Sequence, residues 1–182
     1  MFKCRVKPIK SQGLFDAKYF EKKWYNKEKH KRMMMMRGFK IAKGYEDKNI
    51  QLPKRSTLKS AGYDFETCED LTILPHTIEL AETGIKAYMQ DDEVLKIYPR
   101  SSLPKKYGLT IPNNVGIIDA DYYNNPDNDG AIFVSLYNFT DQKVFVPKGT
   151  RVAQGIFIKY LKAEEDQPLN NHRLGGFGST GT

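Results

Sequence analysis

Residues 84–99 read GIKAYMQDDEVLKIYP, and this stretch decides the fold class. Two short runs rich in β-branched and aromatic residues, 84–89 and 94–98, flank a polar Gln-Asp-Asp-Glu, and the second stops on Pro99. Short apolar runs bounded by polar breaks read as strands; a helix repeats its apolar residues every three to four positions over a longer window. The same texture continues outward. AIFVSLY at 131–137 and VAQGIFI at 152–158 are further runs, and Pro75, Pro112, Asn113, Asn114, Pro147 and Gly149 punctuate the intervals. Many short strands with frequent turn signals predict an all-β sandwich, barrel or jelly roll. There is no βαβ alternation and no GxxxxGK[ST] motif, which argues against a Rossmann or P-loop architecture. Pro147-Lys148-Gly149-Thr150 reads as a hairpin turn.

The length of 182 residues predicts one main domain with room for a core. No apolar run approaches a membrane span, and the opening MFKCRVKPIK has no signal-peptide core, so the expected location is cytoplasmic with no membrane partner. Cys4 and Cys68, with three histidines, make neither a zinc pattern nor a disulfide framework. The net charge of +7 is unevenly placed: residues 1–59 hold 18 Lys/Arg against 5 Asp/Glu, a net of +13, leaving −6 for residues 60–182. A nucleic-acid surface spread over the whole domain is therefore disfavoured. Residues 15–36, FDAKYFEKKWYNKEKHKRMMMM, place Phe15, Tyr19, Phe20 and Trp24 at roughly helical spacing in a basic background. They predict a short amphipathic helix, either a partner contact or a solvated basic face. The expected organisation is a basic extension at 1–35, a β domain at 36–172 and a Gly-rich tail at 173–182.

That tail, RLGGFGSTGT, surrounds Phe177 with four glycines and three hydroxyl residues behind Arg173. Glycine loses more freedom on ordering than other residues, so the tail is either an idle end or a lid. Unhindered backbone N–H groups, hydroxyls and a guanidinium suit a polyphosphate, and an aromatic suits a flat base. Four upstream segments also carry chemistry: Ala61-Gly62-Tyr63-Asp64 entering a strand, Pro99-Arg100-Ser101-Ser102-Leu103 leaving one, the 113–122 segment NNVGIIDADY, and Arg151-Val152-Ala153-Gln154 opening a strand. Singly, each has an ordinary reading as a turn or a strand-end polar residue.

Together and in this order the five segments resemble the ordered motifs of the homotrimeric dUTP pyrophosphatases (dUTPases), over roughly 36–182. The resemblance implies an all-β, dUTPase-like jelly roll or β-clip. The expected reaction is Mg²⁺-dependent hydrolysis of dUTP to dUMP and pyrophosphate by water attack on the α-phosphate. It further implies that Asp119 is the general base and that Gln154 helps hold the attacking water. Asn113 and the backbone at Ile117 and Ile118 would belong to a hairpin reading the uracil edge, and Tyr122 would pack on the deoxyribose and exclude a 2′-hydroxyl. Arg100, Ser101 and Ser102 match the phosphate loop, with Asp64 as a supporting acid. In the tail, Phe177 matches the aromatic over the uracil, Arg173, Ser179 and Thr180 match contacts to the outer phosphates, and Gly178 belongs to the same substrate-binding segment. Mg²⁺ would ride on phosphates and waters, with no protein cage. Each site would draw on three subunits. Two readings compete: a dCTP deaminase of the same fold, and a regulatory binding protein, with a protein partner, built on this fold. Two features depart from the family pattern. Tyr122 is followed by a long polar loop, 123–130, and Arg173 stands one residue closer to Phe177 than is common, so His172 can share its role.

Overall fold

In the computed structural model the described residues are 36–168. They form β1 (Gly38–Ile41), β2 (Lys54–Arg55), β3 (Tyr63–Glu66), β4 (Leu71–Ile73), β5 (Ile78–Glu82), β6 (Ile85–Tyr88), β7 (Glu93–Pro99), α1 (Ser102–Tyr107), β8 (Leu109–Thr110), β9 (Gly116–Asp119), β10 (Phe133–Asn138), β11 (Val144–Val146) and β12 (Arg151–Lys159). The runs read as strands at 84–89, 94–98, 131–137 and 152–158 appear as β6, β7, β10 and β12. The helix expected over 15–36 lies, apart from Met36, outside the described residues, as does the tail from residue 169 onward.

All pairings are antiparallel. The largest sheet has the order β2-β3-β12-β7-β9; a second runs β5-β10-β8, and β1-β6 and β4-β11 pair separately. The inner faces meet on one core in which Phe65, Ile73, Leu95, Leu109, Leu136, Val146 and Val152 are fully buried. β10 shows the period-2 alternation of a strand with one face on that core. Phe39 on β1 closes the edge of this core, with ring centroids 5.2–5.4 Å from Tyr63, Phe65 and Phe157. Gly155 lies beneath the cluster. A Cβ there would come within 2.7 Å of Phe65 Cε2 and 3.0 Å of Leu95 Cδ1, so the ring packs only because β12 has no side chain at that point.

Three local readings change in the fold. Residues 147–150 do turn tightly, with Thr150 N donating to Pro147 O at 3.1 Å and Gly149 at φ +79. The strands either side do not pair with each other, however: β11 joins β4 while β12 joins β3 and β7. The segment is a turn between sheets rather than a hairpin. The same holds around Asn113 and Asn114, where β8 pairs with β10 and β9 with β7, so the expected hairpin is a turn between two sheets. Asn114 takes φ +59 there, a left-handed conformation that Asn tolerates. Finally, the residues after Pro99 form α1. Gly108 at φ +65 ends it, its N–H donating to Pro104 O.

At the start of β7, Glu93 is almost fully buried and accepts from Arg37 Nε at 2.8 Å and from its terminal nitrogen at 2.5 Å. This paired guanidinium holds the Glu93 carboxyl below the usual carboxylate range.

Candidate active site

β7 is the ruler for the site, because its two ends carry different parts of it. At its N-terminal end Val94 lies opposite Asp119, the last residue of β9, and Ile97 lies opposite Gly116. A 3₁₀ turn, Ala120–Tyr122, follows directly and brings Tyr122 round to the same side as Asp119. Between them opens a cavity of about 250 Å³, bordered by Asn113, Gly116, Ile117, Ile118, Asp119 and Tyr122. Five of the expected site residues thus meet in one place. Gly116 and the β10 residues Phe133 and Ser135 also line the cavity and were not foreseen. The run at 131–137 reads only as a core strand, and which of its residues faces a ligand depends on the sheet it joins. Gly116 had a signal in retrospect: a Cβ there would stand 3.2 Å from Ile97 Cβ, so its absence lets β9 lie close on β7.

The cavity wall is mixed. Ile117 is exposed, while Ile118 and Asp119 are half-buried. Tyr122 is 7 % exposed, and its hydroxyl accepts from Asn128 Nδ2 at 2.7 Å. The enclosure is smaller than the roughly 300–1,000 Å³ typical of ligand pockets, which suits one part of an extended ligand.

The other expected residues collect at the C-terminal end of β7. Asp64 on β3 pairs with Arg100 Nε at 2.9 Å and with Arg151 at 3.1 Å, and accepts from Ser56 Oγ at 3.3 Å. One carboxylate therefore holds two guanidiniums at this end of the strand. Arg100 meets Asp64 through Nε and borders the cleft, and a guanidinium there can fork onto an anion's oxygens. Arg100, Ser102, Lys106 and Arg151 border an open cleft there, and Ser101 is exposed beside it. Lys106 and Arg151 were not among the predicted residues; Lys106 reaches the cleft only because α1 forms. Gln154 lies opposite Tyr98 and Asp64, donating to Pro99 O at 3.4 Å. A bulge between Arg151 and Ala153 sets its phase on the strand. Gly62 makes room for it, since a Cβ there would be 2.5 Å from Gln154 Oε1.

Within one chain these two groups do not meet. From Val94, opposite Asp119, to Arg100 is six residues of extended chain, about 20 Å at 3.3 Å per residue. Gln154 is displaced from Asp119 by two strand spacings and four residues, about 16 Å. A carboxylate base must come within hydrogen-bond reach of the water it activates, and that water must lie at the phosphorus. His172, Arg173, Phe177, Gly178, Ser179 and Thr180 lie outside the described residues. Among the described residues no cluster of three or more His, Cys, Asp or Glu side chains is arranged to hold a metal ion.

Comparison with known proteins agrees with the motif order. The dUTPase family model matches residues 48–181. A deoxyuridine 5′-triphosphate nucleotidohydrolase of Lactococcus lactis is 52 % identical over 149 residues, covering 81 % of this chain and 99 % of that protein. A crystal structure of dUTPase from Streptococcus mutans is 49 % identical, with a TM-score of 0.67 over 70 % of this chain and 98 % of that one. A mutant dUTPase from phage phi11 of S. aureus, which coordinates a structural Mg(II) ion, shares the fold at 17 % identity and a TM-score of 0.59, covering 75 % of this chain and 98 % of that one.

Proposed function

The chain belongs to the dUTPase family, and from that premise we propose that it hydrolyses dUTP to dUMP and pyrophosphate, lowering dUTP and supplying dUMP. The observation that carries this reading is the convergence of Asn113, Ile117, Ile118, Asp119 and Tyr122 on one cavity. A pyrimidine edge meets the backbone of β9 there, and the sugar lies against Tyr122. A site that pairs with the uracil edge rejects cytosine strongly, because the wrong exocyclic group leaves buried polar atoms unpaired. This arrangement favours a hydrolase over the dCTP deaminase alternative.

Asp119, which lines the cavity, is the group we assign to take a proton from the attacking water. Hydrolysis at phosphorus asks the protein mainly for positioning and neutralised charge. Arg100 supplies charge, while Ser101 and Ser102 supply hydroxyl donors. Asp64 keeps Arg100 and Arg151 aimed, and Gln154 offers an amide to hold the water. Because these groups stand about 16–20 Å from Asp119 along one chain, the reading requires a neighbouring copy to present them. A cyclic homotrimer repeats one interface three times and completes three such sites, with the 173–182 tail closing over each. We also propose that Mg²⁺ enters with the triphosphate: the donor set of the described residues fits an ion held by phosphate oxygens and water better than a protein cage. Such an ion would neutralise charge on the phosphate chain.

Pyrophosphate release from dUTP, dCTP, dTTP and UTP, with and without Mg²⁺, tests the proposal. Rapid release from dUTP alone, dependent on the ion, is expected. Equal rates on dCTP, or uracil nucleotide formed from it, would overturn the assignment.

A further inference from the structure

Residues 123–130, a loop longer than the family's usual turn, fold back onto the tyrosine they follow. The Tyr122 hydroxyl accepts from Asn128 Nδ2 at 2.7 Å and donates a longer bond to Ala131 O at 3.4 Å. The same Asn128 amide also donates to Ala131 O at 3.2 Å, while its Oδ1 accepts from Gly130 N at 3.0 Å. Its plane is thus pinned from both sides. Gly130 takes φ +79, and a Cβ there would stand 2.4 Å from Tyr122 O, so the returning backbone lies directly against the residue it supports.

The loop is anchored in turn to β6. Asp129 Oδ2 accepts from Lys86 Nζ at 2.5 Å and from Lys43 N at 2.7 Å. Lys86 also donates to Asn124 Oδ1 at 2.8 Å and lies 4.9 Å from the centre of the Tyr123 ring. The lysine is 9 % exposed, and its ammonium holds the Asp129 carboxyl below the usual range. A half-buried ion pair of this kind is costly to break from one side, which makes it a firm mooring for a polar loop.

We infer that Asn128 is a positioning residue for sugar selection: through its hydrogen bond to the Tyr122 hydroxyl it fixes the ring at the depth that leaves no room for a 2′-hydroxyl. This rests on the reading of Tyr122 as the wall against the deoxyribose. A wall rejects an added oxygen only as strongly as it resists being pushed back, and apolar pockets alone discriminate a hydroxyl poorly. Burial already restricts the ring, and a fixed hydroxyl restricts it further about its side-chain torsions. The bond from Asn128, on a moored loop, supplies the shorter of the two hydroxyl contacts that set the depth of the ring.

The test compares kcat/KM for dUTP and UTP in Asn128→Ala, Tyr122→Phe, the double variant and Tyr122→Ala. Loss of one neutral hydrogen bond should lower the dUTP/UTP ratio about 3- to 10-fold in Asn128→Ala, mainly through a lower KM for UTP. Tyr122→Phe removes the same bond from its other end, together with the longer one to Ala131 O, and leaves the Asn128–Gly130 turn intact, so it should give at least as large a fall. The double variant should fall no further than Tyr122→Phe alone. If Asn128→Ala does not fold, the Tyr122→Phe ratio alone decides. A ratio unchanged in Tyr122→Phe, beside a collapsed ratio in Tyr122→Ala, overturns the role of the bond. An Asn128→Ala effect that persists in full on the Tyr122→Phe background overturns it too, since Asn128 would then act only through the loop. A ratio unchanged in Tyr122→Ala overturns instead the reading of Tyr122 as the sugar wall.

Discussion

The two ends of β7 are built on opposite principles. At the Asp119 end a half-closed cavity is shaped by backbone, isoleucines and one ring, with a single carboxylate at its edge. At the Arg100 end the surface is open and polar, and its order comes from charge pairing, with Asp64 holding two guanidiniums. The first can recognise a flat base and sugar by shape and edge pairing. The second can neutralise a phosphate chain but has little shape of its own. The strand between them keeps them about 20 Å apart in one chain. On the proposed reading, recognition and charge neutralisation are divided between the ends, and a neighbouring copy brings them together.

The largest effect is expected from Asp119→Asn, which breaks the recognition end chemically without changing its shape. Turnover of dUTP should drop about 10²–10⁴-fold, the usual value of a general base, while a non-hydrolysable dUTP analogue still binds. Calorimetry beside a pyrophosphate assay would check both halves, and an unchanged kcat would transfer the role to Asp121. Next comes a test of the division itself. Asp119→Asn and Arg100→Ala chains, each inactive alone, should regain activity when refolded together. With random mixing about one site in four would receive an intact Asp119 and an intact Arg100 from different chains of a cyclic trimer. Mixed trimers, verified by mass, that stay inactive would place the whole site within one chain.

Asp64→Asn should act on the charged end alone. With the carboxylate gone, Arg100 and Arg151 lose their common partner, and KM for dUTP should rise about tenfold, the worth of one charge-assisted hydrogen bond. An unaltered KM would mean that the guanidiniums need no such support. The smallest effect concerns the strand that joins the ends. The folded-state carboxyl of Glu93 is depressed by Arg37, so its contribution is present above the ordinary glutamate range and is lost as pH falls through the lowered value. Melting temperature should therefore decline below about pH 4, and more shallowly in Glu93→Gln. Parallel curves for the two proteins would remove Glu93 from the acid response.

Much of this was legible in the residues. The strands at β6, β7, β10 and β12 follow from short β-branched runs, because a period of two is a local property of the chain. The Asp119–Tyr122 relation is local as well: three residues on one 3₁₀ turn place both side chains at the same cavity. The five motifs in order carried the family. The helix α1 was hidden by Pro104 and by a motif that reads as a loop, although Pro within the first turn is compatible with a helix. The turns at 113–114 and 147–150 were read correctly as turns and wrongly as hairpins, since turn chemistry says nothing of which strand each arm will join.

The sequence by itself determined an all-β chain, its reactive residue types and its family, because those depend on neighbours a few positions away. Tertiary structure decided which of those residues share a site. Antiparallel register put Asp119 beside Val94 and Gln154 beside Tyr98, and so placed them at different ends of one strand. It also set Lys86 beneath Asp129 and Asn128 behind Tyr122. Except for Asn128 and Tyr122, six residues apart on one loop, such pairings join residues tens of positions apart. They are selected by burying one face of every strand on a common core, a condition that no short window of sequence contains.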